Sequence, residues 1–235
     1  MEALVLAGGR TSKLPVSKKA DLPIGDRTMV DYVVAALEQV PAVQKVTVAR
    51  DDADSLVENL LDALQRLSLD PEDRLLIASC DIPFLTPEAV LDFLARCEPG
   101  LDVYYPIVRK ECCEQRFPGV QRTYARLREG TFTGGNLFLV RAGALPPLAD
   151  RLQRLFQNRK SPLKLSRELG YGVTAQVVLS ALLGTLSVTS LERRVAQSIG
   201  IRAKAVVSDY AEIGTDIDKE SDLELLRQFF APCLP

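Results

Sequence analysis

Ala3-Leu4-Val5-Leu6-Ala7-Gly8-Gly9 decides the fold. Its length and flanks make residues 3–6 a short buried strand, and the glycine pair closes it. Val30, Val33, Val34 and Leu37 recur at helical spacing behind it, so a helix follows. Residues 45–49 form a second strand. Val57, Leu60, Leu61, Leu64 and Leu67 mark a second helix. Residues 75–78 form a third strand, apolar without alternation and therefore buried on both faces. Thr86-Pro87 starts a third helix, with Thr as cap and Pro in the first turn, and its inner face is Val90, Phe93, Leu94 and Cys97. The order βαβαβα predicts an α/β fold with a mainly parallel sheet, right-handed crossovers and helices on both faces: a three-layer α/β/α, Rossmann-like arrangement with the first strand central. Ligands of such sheets bind at the carboxyl ends of the strands.

Beyond Gly100 the pattern loosens. A strand over 103–108 is followed by an exposed excursion over 109–122. Strands at 123–127 and 137–140 flank the turn Thr133-Gly134-Gly135-Asn136. Helices are expected near 145–157, 173–186 and 190–199, then a closing strand over 203–207 and a final helix over 222–230. No repeat, low-complexity tract or linker divides the chain. Residues 1–235 therefore read as one domain with a helical insertion at about 145–200. The most apolar window, 173–188, is broken by Thr174, Gln176, Ser180, Gly184, Thr185 and Ser187. A membrane span needs about 20 mostly apolar residues, so this window reads as a buried helix.

Composition removes several function classes. A net charge of −2, no Trp and 6% aromatic residues argue against a nucleic-acid surface. With no His in the chain, His-based zinc sites and Ser-His-Asp triads are excluded, and acid–base or metal chemistry falls to Asp, Glu, Lys or water. Cys80, Cys97, Cys112, Cys113 and Cys233 are odd in number and none has C-x-x-C spacing, which reads as reduced thiols in a cytoplasmic protein. The N-terminus is too acidic for a signal peptide, and no membrane association is expected.

Three segments at strand ends carry chemistry. The first is Leu6-Ala7-Gly8-Gly9-Arg10-Thr11-Ser12-Lys13, continued by Lys18-Lys19. Glycines let backbone amides approach a phosphate or base, and four cations within ten residues can hold a triphosphate. The same residues also suit a plain tight turn with solvated lysines. Neither the P-loop spacing nor G-x-G-x-x-G is present, which also argues against an NAD-dependent oxidoreductase. The second is Ser79-Cys80-Asp81-Ile82-Pro83, where Asp81 just past a buried strand is placed to hold Mg²⁺ on phosphate oxygens; a simple helix-approach turn is the alternative. The third is Gly214-Thr215-Asp216-Ile217-Asp218-Lys219-Glu220-Ser221-Asp222-Leu223. Asp216 and Asp218, at i and i+2, lie on one side of an extended segment, while Ser221 or Asp218 also suits the cap of the last helix. Arg151, Arg154, Arg159, Lys160, Lys164 and Arg167 attract an anionic acceptor or form a solvated helix face, and Tyr171 between two glycines is a lid or a plain loop.

Taken in order, Leu6-Ala7-Gly8-Gly9, Lys19-Ala20-x-Leu22-Pro23-Ile24, Asp81-x-Pro83 and Asp216-Ile217-Asp218 with Asp222-Leu223 resemble the MobA-like NTP transferases, relatives of the sugar-nucleotide pyrophosphorylases. The resemblance runs from the N-terminus to about Leu226. It implies a nucleotidyltransferase that moves NMP from a nucleoside triphosphate to a phosphorylated or acidic small-molecule acceptor and releases pyrophosphate. By that resemblance Leu6, Ala7, Gly8, Gly9 and Arg10 bind the nucleotide. Lys13 faces the departing phosphates, and Lys19 faces the α-phosphate. Asp81 and Asp218 hold Mg²⁺, with their carboxylates within roughly 5 Å of each other, and Asp216 is the alternative second ligand. Gly135 and Asn136 form the acceptor-side turn. Thr11, Lys18 and Asp21 depart from the family's usual Gly, Pro and apolar residue. A catalytically weak nucleotide-binding regulator on the same fold is the rival reading, and a homodimer stays open.

Overall fold

The computed structural model describes residues 1–8, 11–50, 56–146 and 186–230. The expected helices near 145–157 and 173–186 lie outside these residues. One sheet of eight strands organises the described chain, and β2 (Pro23–Ile24) and β3 (Arg27–Thr28) form a separate two-stranded ladder. Strands β1 (Glu2–Leu6), β4 (Lys45–Ala49) and β5 (Arg74–Ser79) are parallel, with β1 between the other two. β9 (Leu137–Arg141) runs antiparallel between β5 and β6 (Val103–Arg109), and β10 (Ala203–Ser208) pairs in parallel with β6. β7 (Ala125–Leu127) and β8 (Gly130–Gly134) form a hairpin that extends the sheet from β6. The sheet is thus mainly parallel in its main strands, but β1 is second from the edge rather than central.

Alternation along the strands builds the layers. Ala3 and Val5, like Leu76 and Ala78, face a core completed by helices α1 (Met29–Glu38), α3 (Pro87–Ala95) and α6 (Leu223–Phe230). Leu4, Leu75 and Ile77 face the opposite core, with Leu60, Ala63 and Leu67 on or just after α2 (Leu56–Arg66). Burial on both faces explains why β5 reads as an unbroken apolar run. Local signals set the helix ends. The Thr86 hydroxyl accepts the Ala89 amide at 3.2 Å at the start of α3. Helix α5 (Val188–Ile199) is capped by Ser187 and stopped by Gly200, whose φ of 74° lies in the left-handed region that glycine tolerates.

Two departures from the sequence reading matter for the site. Residues 109–122 are not an exposed excursion throughout: α4 (Lys110–Arg116) folds directly off β6 and buries Cys113, with Phe117 following one turn later. The charged run Lys110-Glu111-…-Glu114-Gln115-Arg116 hides this i, i+4 pair. The second departure is that Thr133 and Gly134 belong to β8, so β8 and β9 are one antiparallel run along β6, interrupted at Gly135-Asn136. The interruption lies beside Pro106, which has no amide to give the ladder, although its carbonyl still accepts the Gly135 amide at 2.9 Å. Among the described residues no helix is long and apolar enough to cross a membrane.

Candidate active site

Because β1, β5, β6 and β10 are parallel, their carboxyl ends lie along one edge. β5 delivers Asp81 there. Ile82, Phe84 and Leu85 are buried and pin the loop that follows, leaving Asp81 9% exposed at its start. The Ser79 hydroxyl donates to Asp81 Oδ1, and the Asp81 carbonyl accepts the Ile217 amide at 2.9 Å. That backbone bond brings the third motif to the second. Ile217 is completely buried, so its neighbours Asp216 and Asp218 turn to the other side of the extended chain, towards Asp81. Oxygens of Asp81, Asp216 and Asp218 all lie within 4.8 Å of one another. Asp222 plays a different part: its Oδ2 accepts the amides of Asp218 at 2.9 Å and Lys219 at 3.1 Å, fixing the loop ahead of α6. Asp222 thereby closes the start of the 3-10 turn Glu220–Asp222, and the Asp218 carboxylate is turned to a lysine instead.

That lysine is Lys19. A short 3-10 turn, Lys19–Asp21, is anchored by buried Ala20 and Leu22, which project Lys19 across to the acidic cluster. Its ammonium donates to Asp81 Oδ2 at 2.9 Å and also to Asp218 Oδ1. Burial alone would lower its pKa, but Asp81 and Asp218 outweigh burial and raise it, so Lys19 is a permanent cation. The carboxylates are unequal. Burial, then the charges of Asp81 and Asp218, push Asp216 up to about 6. Asp218 moves down despite partial burial, because Lys19 bonds to it, with Lys13 adding a smaller pull. Cys80, next to Asp81, is pushed up to about 12 by burial and by that carboxylate; it stays a thiol and is no nucleophile.

The remaining predicted residues divide. The Leu6 carbonyl accepts the Cys80 amide at 3.2 Å and the Ala7 amide donates to Ala49 at 2.8 Å, so this end of β1, with Gly8 after it, lies beside Asp81. Gly9 and Arg10 lie outside the described residues, as do Arg151, Arg154, Arg159, Lys160, Lys164, Arg167, Tyr171 and Cys233. Lys13 is exposed in a loop closed by the Thr11 amide on Ser17 at 3.0 Å and pinned by buried Leu14. Gly135 and Asn136 use their amides inside the fold, on Pro106 and Ile213 at 2.9 Å each. The Asn136 carbonyl accepts the Ser79 amide at 3.0 Å, so the bulge is a neighbour of Asp81 with only the Asn136 side chain left for a ligand. Sequence reasoning assigned no role to Ser79, and Asp222 entered only as part of a motif; a hydroxyl two residues before a strand-end Asp is the signal that was available for Ser79. A cavity of about 400 Å³ opens next along the chain from Asp218, between Pro118, Gly119, Val120 and Gln121 on one side and Lys219, Ser221 and Glu224 on the other.

Three carboxylates with hard oxygen donors, closely spaced and only part-neutralised by one ammonium, suit a small divalent cation such as Mg²⁺ or Mn²⁺ rather than a thiolate-seeking metal. The position of the Lys19 ammonium between Asp81 and Asp218 shows that a cation fits this cluster.

Comparison with known proteins identifies the family. The MobA-like NTP transferase domain matches residues 3–60, which include the first loop and Lys19. A hypothetical transferase structure from Thermus thermophilus is 38% identical, covers 94% of this chain and 99% of its own, and superposes with a TM-score of 0.79. CMP:2-keto-3-deoxy-manno-octonic acid synthetase complexed with CTP shares the fold at 19% identity, full coverage of both chains and a TM-score of 0.56. So does 2-C-methyl-D-erythritol 4-phosphate cytidylyltransferase from Francisella tularensis, at 12% identity, coverage of 97% and 98%, and a TM-score of 0.57. No curated protein sequence matches the chain. The chain belongs to the MobA-like NTP transferase family and is a nucleotidyltransferase.

Proposed function

We propose that this protein transfers the NMP part of a nucleoside triphosphate to a small acceptor bearing a phosphate or carboxylate, releasing pyrophosphate, with Mg²⁺ held by Asp81, Asp216 and Asp218. The observation that carries this reading is the convergence of those three carboxylates with Lys19 at the carboxyl edge of the sheet, beside the glycine-containing end of β1. Asp216 joins Asp81 and Asp218 in the proposed ligand set because an oxygen of it lies within 4.8 Å of an oxygen of each. A divalent ion bound there supplies positive charge to phosphate oxygens and makes the α-phosphorus a better electrophile. Leu6, Ala7 and Gly8 offer a rigid backbone edge for the nucleotide. Lys13 and Lys19 place two cations near Asp218, where a triphosphate's charge is offset and where charge on departing pyrophosphate is stabilised. An acceptor phosphate or carboxylate is already ionised at neutral pH, so alignment and charge neutralisation suffice and no general base is required; a chain without His is compatible with that. The free thiols of Cys80, Cys97, Cys112 and Cys113 support a reading as a cytosolic enzyme.

The test is pyrophosphate release from each of the four nucleoside triphosphates with Mg²⁺ and a panel of sugar phosphates, phospho-alcohols and sugar acids. Release that needs both an acceptor and the metal, and that stops in EDTA, is the expected result. Binding of nucleotide with no pyrophosphate from any pairing would leave the regulatory reading instead.

A further inference from the structure

Among the described residues Arg122 makes no ion pair and no side-chain hydrogen bond. Its Nε and Nη2 are buried and have no hydrogen-bond partner among the described residues. The other cations of this segment are matched: Arg109 lies 3.3 Å from Asp209, Lys110 3.3 Å from Glu114, and Arg116 2.9 Å from Glu212. A buried charged donor left unpaired is costly, and structures retain such groups where a partner arrives from outside. Arg122 follows α4, which springs from the carboxyl end of β6, so it sits on the same edge as the acidic cluster. It belongs to an extended stretch whose exposure alternates, with Val120, Arg122 and Tyr124 turned inward and Gln121 and Thr123 outward. Gln121, its neighbour in the chain, lines the same cavity as Lys219, Ser221 and Asp222, so Arg122 lies close to the loop that carries Asp216 and Asp218.

We infer that Arg122 is the acceptor-recognition residue of this transferase, holding a phosphate or carboxylate of the acceptor at the edge that carries the acidic cluster. This rests on the proposed function above and names the group that selects the acceptor. The geometry suits an oxyanion. Adjacent Nε–H and Nη2–H donors of a guanidinium form the fork that binds two oxygens of one phosphate or carboxylate, whereas a neutral hydroxyl would satisfy one donor and leave the charge bare. Lys13 and Lys19, from the loop after β1, serve the triphosphate, whereas Arg122 follows α4 after β6, so different loops of the edge hold the two anionic substrates.

Thermal melts of the full chain with Mg²⁺ test this without the true acceptor. The probes are inorganic phosphate and each nucleoside triphosphate, applied to the parent, Arg122→Met, Arg122→Lys and Lys13→Ala. Arg122→Met should melt at or above the parent temperature, because it deletes two buried donors that have no partner among the described residues. It should weaken the phosphate response roughly tenfold or more, the loss expected for a charged hydrogen-bonded pair, and leave the nucleotide response within about twofold. Lys13→Ala should do the reverse, and Arg122→Lys should fall between. A nucleotide response lost in Arg122→Met would assign the guanidinium to the triphosphate and overturn the inference, as would an unchanged phosphate response. A large drop in melting temperature would make Arg122 a structural pair and overturn it too. Failure of the parent to release pyrophosphate under any condition would reject the transferase reading, whereas the phosphate responses report on Arg122 separately.

Discussion

Asp216→Asn should make the metal-free protein more stable while weakening its response to Mg²⁺. The side chain keeps its shape and loses its charge. Asp216 is pushed from the ordinary carboxyl range up to about 6 by burial and by Asp81 and Asp218. A rise of about two units corresponds to about 3 kcal/mol, at about 1.4 kcal/mol per unit. Coulomb repulsion gives a similar size: two carboxylates with oxygens within 4.8 Å of each other repel by about 3 kcal/mol or more at an effective dielectric of about 20. Part of this is screened because the Asp218 side chain is 53% exposed, so we take about 2 kcal/mol as the gain, or about 4–8 °C in Tm for a chain of this size. The sign follows from proton linkage. A carboxyl whose folded pKa is raised holds its proton more tightly in the fold than in the unfolded chain. Its protonated form is therefore the stable one, and stability falls as pH rises from about 4 to about 6. The advantage of Asp216→Asn should be near zero at pH 4, grow across that window and stay constant above it. Melts in EDTA at pH 4, 5, 6 and 7.5, repeated with excess Mg²⁺, measure both effects. A variant no more stable than the parent at pH 7.5, or equally stabilised at all four pH values, would refute the electrostatic argument. An undiminished Mg²⁺ response would remove Asp216 from the ligand set.

Lys19→Ala should lower turnover by orders of magnitude while nucleotide affinity falls less, because a fixed cation matters most as charge shifts in the transition state; equal turnover in steady-state assays of variant and parent would reject its role. Asp102 lies at the other end of the sheet, where burial is outweighed by the Arg202 amide and side chain and by Arg141, holding its carboxyl down at about 2. Its ionised form stabilises the fold above about pH 4, and that contribution fades as pH falls towards 2, so Asp102→Asn should cost on the order of 2 kcal/mol at pH 7 and progressively less in acid, read by denaturant unfolding, with activity kept in the folded fraction. Gly135→Ala would put a Cβ 2.7 Å from Ile213 Cγ2 and 2.8 Å from Pro106 Cγ; such overpacking should cost about 1–3 kcal/mol, and a Tm equal to the parent's would show that the bulge relaxes.

The strands and helices up to α3 were legible because each announces itself: unbroken apolar runs for strands covered on both faces, 3.6-residue spacing for helices, and Thr86-Pro87 for a start. Helix α4 was not, because it buries only Cys113 and Phe117 inside a charged stretch, too few positions to define a period. The bulge at Gly135-Asn136 was visible as a glycine turn, but its register depends on Pro106, which is distant in sequence. Within the site, Asp81 could be placed from its strand. The i, i+2 spacing put Asp216 and Asp218 on one side without saying which of them meets Asp81, and the bond from the Ile217 amide to the Asp81 carbonyl brings both within reach. Arg122 had no signal at all, since lacking a partner is a property of the folded surroundings.

The two ends of the sheet treat charge in opposite ways, and the contrast bears on where function lies. At the amino end of β6 and β10, the single carboxylate of Asp102 meets two arginines: Arg141 through Nε at 3.0 Å and Nη2 at 2.9 Å, and Arg202 through its amide at 2.9 Å. Every donor there acts on a group already in the chain, and the cluster ties β6, β9 and β10 together. At the carboxyl end three carboxylates share one lysine, and close by an arginine has two donors unused. The first arrangement is complete without a ligand. The second holds negative charge that a cation would relieve and positive charge that an anion would relieve, a short distance apart on one edge. Local conflicts of this kind reduce the stability of the free protein and persist where binding resolves them. A divalent ion at the carboxylates and an anionic group at Arg122 would each remove one conflict, so each ligand should stabilise the fold on its own. Together they should stabilise it by more than the sum, because the ion lowers the negative potential that Asp216 presents to an anion held by Arg122.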